Sequence, residues 1–524
     1  MPGSIGTEDA WMRLVAWDYE KSGLAMLLGT RPCIYQVHSR AWLRELASDR
    51  AAGGGPFTLA SVPSAILDSW KALGFTHVWL MGVWRIGPEA RRHALRALRG
   101  SRVDAADVCG SPFAIEGYTV DPEIGGESEL IGFRQRCNQR GLRLLLDFIP
   151  NHVALDHPWI RQHPSRFLVS KRRKKGYYRA DVESGTRWVA HGRDPYFPPW
   201  VDTAQLDWSS EEVHVAMREQ LLGVAALCDG VRADMAMLLL PEVFQRTWAG
   251  AEMKLDASEA LFWPGAIRAV RERFPDFLLI AEVYWDLEER LLEQGFDYAY
   301  DKRSYDHVVG RRPGDLLRHW MSQGSVLWAR GLRFLENHDE ARVASLCGIP
   351  EHRAWLCLLL AMPGAALIHH GQIACLRERT VISLRRVAAS GGQLELRDTY
   401  AHLLRTFSEL AGGDLLCVPV SPMPASVGND SHQSCVALVW HRADWPAWVL
   451  MVNLGKHQAQ SRLMLPTLAA TDARLVSVQD RLSDVRYEVA AGTLAQSGLY
   501  VDLPAYGYHL LALTRAAVGE PPPL

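Results

Sequence analysis

Four short segments each close an apolar run with residues that can do chemistry. They are Asp147-Phe-Ile-Pro-Asn151-His152, Gly230-Val-Arg232-Ala-Asp234, Glu282-Val-Tyr-Trp285 and Glu336-Asn337-His338-Asp339. The reaction that needs such a set is cleavage of a glycosidic bond with retention of configuration. One carboxylate attacks the anomeric carbon, and a second, about 5 Å away, protonates the leaving oxygen and then activates the incoming acceptor. The two must differ in proton affinity. Arg232 and Asp234 stand two apart in a strand-like run, so both face the same way, and the guanidinium should hold Asp234 ionised as a nucleophile must be. Glu282 follows four apolar residues and lies near Trp285, surroundings that raise a carboxyl pKa and suit a general acid. Taken singly, an Asp, Glu or His beside a strand end is more often a cap or a surface residue. Three carboxylates, two Asn-His pairs and an Arg, all closing strands, outweigh that reading.

Something must bring these distant segments together. From residue 31 short apolar runs alternate with amphipathic stretches, the pattern of β/α units around a parallel sheet. Eight runs qualify as strands: 33–37, 77–83, 142–148, 230–236, 277–283, 296–300, 332–337 and 365–370. Helices are expected at 126–141, 210–227 and 352–362, where apolar residues recur every three to four positions. The fold class is therefore α/β, a TIM-type (β/α)8 barrel over 31–410, whose C-terminal strand ends converge on one mouth. After the third strand, residues 152–205 exceed an ordinary barrel loop and predict an inserted subdomain over that mouth. Its aromatics Tyr196, Phe197 and Trp200, with Trp285, are candidates to stack on sugar faces. The run KRRKK at 171–175 reads as a solvated face. Short alternating strands over 415–515 predict a C-terminal antiparallel β-sandwich, preceded in the chain by an N-terminal extension (1–30) and followed by a tail (516–524).

Composition narrows the partners. With 57 Lys plus Arg against 59 Asp plus Glu, the net charge of -2 attracts neither nucleic acid nor an anionic membrane, and a neutral carbohydrate fits better. No apolar run is long enough to span a bilayer and no basic start leads an apolar core, so a cytoplasmic protein is expected. Nine scattered cysteines, never spaced C-x-x-C, predict reduced core residues, with no disulfide framework and no zinc ribbon. Neither cofactor nor metal is expected. Oligomeric state is left open.

The four segments resemble, in order and on the expected strands, the four signature regions of the alpha-amylase family, also called glycoside hydrolase family thirteen. SPFAIEGYTVDPEIGG (111–126), QLDW (205–208) and MPGAALIHHGQ (362–372) resemble further regions of it. The resemblance implies Asp234 as nucleophile, Glu282 as acid/base and Asp339 as the carboxylate that grips sugar hydroxyls and favours the distorted ring. It also implies a substrate-binding set of Arg232, His152, His338, Tyr118 and Asp147, the last as a structural member of the mouth. Pro112 stands where many members have a stacking aromatic, leaving Phe113 or Tyr118 to compensate. Met237 and Leu238 replace a Lys-His pair that contacts the next sugar, which predicts a more apolar acceptor side. A short oligosaccharide or a different acceptor is then favoured over long starch. Many members carry calcium held by the Asn of the third-strand motif, here Asn151, an Asp before the third helix, and a backbone oxygen after the nucleophile. This chain has Gln205 and Leu238 at the last two positions and is expected to work without the ion. The functions in view are hydrolysis of an α-glucosidic bond and transfer or isomerisation on maltose-, sucrose- or trehalose-like sugars. A non-catalytic barrel is the third, disfavoured because Asp234, Glu282 and Asp339 are all present.

Overall fold

The eight apolar runs close into one parallel barrel. In chain order they are β1 (Cys33–His38), β2 (His77–Met81), β3 (Arg143–Phe148), β4 (Gly230–Ala233), β5 (Leu278–Ala281), β6 (Tyr298–Tyr300), β7 (Gly331–Phe334) and β8 (Ala365–His369). Each pairs with its predecessor, and β8 returns to β1 with Cys33 opposite Ala366. This computed structural model describes residues 31–48, 57–183, 185–249, 261–386, 394–410, 415–443, 445–470, 474–483 and 485–516. The expected extension 1–30 and the tail beyond 516 lie outside the described residues.

Strand parity decides what faces inward. In β3, Leu144, Leu146 and Phe148 pack in the layer between barrel and helices, while Leu145 joins Ile34, Trp79, Met81, Ile280 and Leu332 inside the barrel. Asp147 shares the parity of Leu145. Arg232 pairs in register with Asp147 on one side and Ile280 on the other, which sets the charged residues in one layer at the strand ends. Gly230, one layer below, is required by space. A Cβ there would lie 2.5 Å from Leu278 O and 2.8 Å from Leu145 Cδ2.

The expected helices form at Gly126–Asn138, Glu211–Leu227 and Ile349–Ala361. The third is buried along nearly its whole length and also touches strand Trp445–Asn453 of the C-terminal sheet, which explains why it is apolar all round. β4 is shorter than its apolar run. The chain leaves the sheet at Asp234 because Met235 takes a left-handed φ of 43°, and residues Ala236–Leu239 coil into a tight helical turn.

The segment after β3 is pinned at its neck, where His152–Ala154 pairs antiparallel with Thr203–Gln205. Between them stand the helix Pro158–Gln162 and a three-stranded sheet of Val169–Ser170, Gly185–Ala190 and Tyr177–Val182. The C-terminal region is a six-stranded antiparallel sheet facing a three-stranded one, with Val439, Val449, Met451, Leu463, Val476 and Val501 filling the space between. The indole of Trp328, just before β7, donates to Cys417 O at 2.8 Å and ties this sandwich to the barrel.

Candidate active site

The mouth of the barrel opens into a cavity of about 710 Å³ lined by Asp234, Glu282, Asp339, Arg232, His152 and His338 among others. That is the size class of a drug-sized ligand, comparable with a di- or trisaccharide. Arg232 is the organising residue. Its Nη1 donates to Asp234 Oδ1 at 2.6 Å and its Nη2 lies 2.8 Å from Glu282 Oε2, so one buried guanidinium bridges two carboxylates. The second oxygen of each acid differs in its surroundings. Glu282 Oε1 accepts from the Tyr284 hydroxyl at 2.8 Å, and Oε2 also accepts from Met235 N–H at 2.6 Å. The left-handed backbone of Met235 is what turns that N–H toward Glu282. Trp285 and Asp286, at φ 67° and 63°, repeat the conformation on the other side of the acid.

Electrostatically the two acids are alike. Burial pushes both carboxyls up, Arg232 pulls both down, and burial prevails, so each titrates above the ordinary carboxylate range. The sequence expectation that Arg232 holds Asp234 low is thus opposed by burial and by the neighbouring charges of Asp147 and Asp339. Asp339 behaves oppositely. Burial raises it, but the adjacent His338, with Arg232 and Arg379, holds it well below the usual range. His338 Nε2 lies 2.9 Å from Asp339 Oδ2, close but not aligned for a hydrogen bond, and its Nδ1 accepts from Gln36 Nε2 at 2.7 Å. Asn337 Oδ1 accepts from Asp339 N–H and Glu340 N–H and fixes the turn that presents Asp339.

The other expected residues fall into two groups. His152 lines the cavity beside Trp200, ring centroids 5.1 Å apart, and burial pushes its pKa down to about 4. Asp147 is fully buried, accepting from Trp79 Nε1 at 3.1 Å and Gly82 N–H at 2.8 Å, and is not among the lining residues. Tyr118 is set behind the wall as well. Its hydroxyl both donates to Ile149 O and accepts from Ile149 N–H, and its ring stacks on Phe148, so it props the end of β3. Of the two candidates to replace the missing aromatic, Phe113 is the one on the cavity, 5.4 Å from the His338 ring and 5.3 Å from the Arg232 guanidinium carbon. Met237 and Leu238 are buried in the core and do not line the cavity, so they do not make the acceptor side apolar. Phe197, Trp200 and Trp285 do line it, and Tyr196 packs edge-on against Trp285 at 4.9 Å.

Sequence reasoning missed Tyr284 as a partner of Glu282, Gln36 as a partner of His338 and Asn337 as the residue that fixes the Asp339 turn. Tyr284 carried a signal, since it stands two residues from Glu282; Gln36, a lone polar residue inside an apolar strand, carried a weaker one.

The positions that would hold calcium do not fit it. Gln205 Nε2 sits 3.0 Å from each of Asn151 O, Asn151 Oδ1 and Leu206 O, so an amide nitrogen already occupies the centre of the oxygens that a cation would use. The set offers no carboxylate, whereas a hard dication wants six to eight oxygens with anionic ones among them. Among the described residues no group of three or more His, Cys, Asp or Glu is placed to hold a metal, and no helix is long and apolar enough to cross a membrane.

Known proteins share this architecture. The family model described as "Alpha amylase, catalytic domain" matches residues 64–390. Among curated relatives, Alpha-amylase 3 of Dictyoglomus thermophilum is 21% identical over 330 residues, covering 58% of each chain. An alpha-1,4-glucan:maltose-1-phosphate maltosyltransferase of Chlorobaculum tepidum is 25% identical over 251 residues, covering 45% of this chain and 31% of that one. The chain thus spans less than two thirds of the length of either relative. The crystal structure of a noncanonic maltogenic alpha-amylase from Thermotoga neapolitana superposes with a TM-score of 0.67 at 20% identity, covering 92% of this chain and 99% of the other.

Proposed function

This chain belongs to the alpha-amylase family, and from that premise we propose that it is a retaining enzyme that hydrolyses α-glucosidic bonds of a short oligosaccharide or glucan. The observation that carries this reading is the single guanidinium of Arg232 shared by Asp234 and Glu282 on a cavity that Asp339 also lines. One positive charge serves two buried acids, and burial raises both, which favours a proton held on the pair. Asp234 Oδ1 is engaged by Arg232, leaving Oδ2 to attack the anomeric carbon. Glu282 Oε2 is held by two donors, Met235 N–H and Arg232, and Oε1 only by the Tyr284 hydroxyl, so the proton belongs on Oε1, from which it passes to the leaving oxygen. Breaking that bond gives a glycosyl ester on Asp234. Glu282, now ionised, takes a proton from water, and the hydroxide equivalent releases the sugar with its starting configuration. Asp339, held ionised beside His338, is suited to grip hydroxyls of the same sugar.

Transfer to a second sugar is the other reading, favoured by the aromatic wall of Phe197, Trp200 and Trp285, which would hold an acceptor and exclude water. One experiment serves both. The protein is incubated with maltose, sucrose, trehalose, maltooligosaccharides and glycogen while proton NMR follows products and anomeric configuration. Release of the α-anomer from a short substrate is expected, new glycosides would favour transfer, and first appearance of the β-anomer would contradict retention.

A further inference from the structure

We propose that the cavity is selective for uncharged α-glucosides and rejects sugars that carry a phosphate, an inference that rests on the glycosidase reading above. Besides the three acids already described, Asp194, Asp202, Asp286, Glu288 and Asp306 also line the cavity. Against these eight acids stand three permanent cations in the wall, Arg232, Lys302 and Arg303, each already engaged, with Arg379, 3.9 Å from Asp339, and Arg246, over the Tyr196 and Trp285 rings, at its edge. Arg232 bridges Asp234 and Glu282. Lys302 Nζ lies 2.5 Å from Asp306 Oδ1 and 3.3 Å from Glu340 Oε1, and Arg303 Nη2 lies 2.5 Å from Asp286 Oδ2.

Two other places where an anion could settle are closed to it. His152, pushed down to about 4 by burial, is neutral at pH 7. The helix Lys302–Val309 begins at the cavity, and a helix N-terminus attracts anions, but its N-cap is Asp301, whose carboxylate already accepts from Ser304 N–H. Allowing for the catalytic proton on Glu282 and for Glu288, pushed up to about 7 by burial, six acids in the wall still outnumber its three cations and the two at its edge. A phosphate would bring roughly 1.5 to 2 further negative charges into that field. What the wall does offer is aromatic faces for the C–H side of a sugar ring and carboxylate oxygens that accept from its hydroxyls.

The test compares kcat/KM for maltose and trehalose with that for maltose 1-phosphate and trehalose 6-phosphate, at low and high ionic strength. For whichever neutral sugar is turned over, its phosphate should be at least about tenfold poorer, and salt should narrow the gap because it screens the partly exposed charges. The double variant Asp286→Asn with Asp306→Asn, which leaves Lys302 and Arg303 less fully neutralised, should narrow it further at low salt. Equal or faster turnover of the phosphate, or a gap that neither salt nor the substitutions move, overturns the proposal while leaving the glycosidase reading intact. Turnover of no neutral or phosphorylated α-glucoside overturns both.

Discussion

At the scale of single residues, Arg232 acts on two acids at once. Because it bridges both, removing either acid's charge leaves the guanidinium paired with the other and disturbs the fold little. Asp234→Asn and Glu282→Gln should therefore keep the wild-type circular dichroism spectrum while lowering kcat on a natural α-glucoside by at least about a hundredfold, the usual weight of a nucleophile or acid/base. More than about a hundredth of wild-type activity in Asp234→Asn would rule out its assignment as nucleophile. Much of this site was legible in the sequence, because strand parity alone puts Asp147, Arg232 and Asp234 on the inward face. The roles of Tyr118 and Asp147 were not legible to the same depth. Parity places a side chain on a face but does not say whether a neighbouring backbone, here Ile149 or Gly82, will claim its polar atoms.

At the scale of elements, the segment 152–205 and its neck decide how the mouth is shaped. Asp194 Oδ1 accepts from Tyr196 N–H at 2.7 Å and Phe197 N–H at 2.9 Å, and two prolines follow, so a stiff turn carries the exposed Tyr196 and Phe197 over the cavity. Alanine at Tyr196 and Trp200 should raise KM severalfold and shift the ratio of hydrolysis to transfer; unchanged KM and product ratio would make the segment structural only. At the neck, Gln205 joins the two ends of the segment with an amide rather than an ion. Exhaustive chelation is expected to leave activity and melting temperature unchanged, and Gln205→Ala to cost about 1–3 kcal/mol by orphaning buried oxygens. A loss of activity on chelation that only calcium restores would contradict this. The segment's existence could be read from its length and its aromatic, proline-rich end. Its small sheet left only a short signal, because Tyr178, Ala180 and Val182 alternate with the exposed Arg179 and Asp181 over just five residues beside a basic run.

At the scale of the whole molecule, burial of neutral histidines sets the response to acid. His38, His77, His152, His157 and His352 are each pushed down to about 4 by burial. Between about pH 4 and 6.5 the unfolded chain binds protons at these positions and the folded one does not, so their stabilisation is complete above 6.5 and is lost as pH falls toward 4. Glu288 and Glu336, pushed up to about 7, act in the opposite sense, contributing stability below about 4.5 that fades as pH rises through 7. Among the described residues nine histidines are lowered and six carboxyls raised, so the melting temperature should drop on acidification from pH 6.5 to 4, and a flat or rising profile in calorimetry would refute the balance. The whole barrel was legible because its eight strands are short, mainly apolar runs, whereas the pairing of Trp84–Ile86 with Ile115–Val120 was not, since those strands are short and bulged. The central claim, a glycosyl ester on Asp234, is tested most directly by intact-protein mass spectrometry of Glu282→Gln mixed with α-glucosyl fluoride, whose leaving group needs no acid. The account predicts a mass gain of one hexosyl unit, mapped by peptide digestion to Asp234 and absent when Asp234→Asn is added. An adduct on another residue, or turnover of the fluoride that persists in the Asp234→Asn variant, would contradict it.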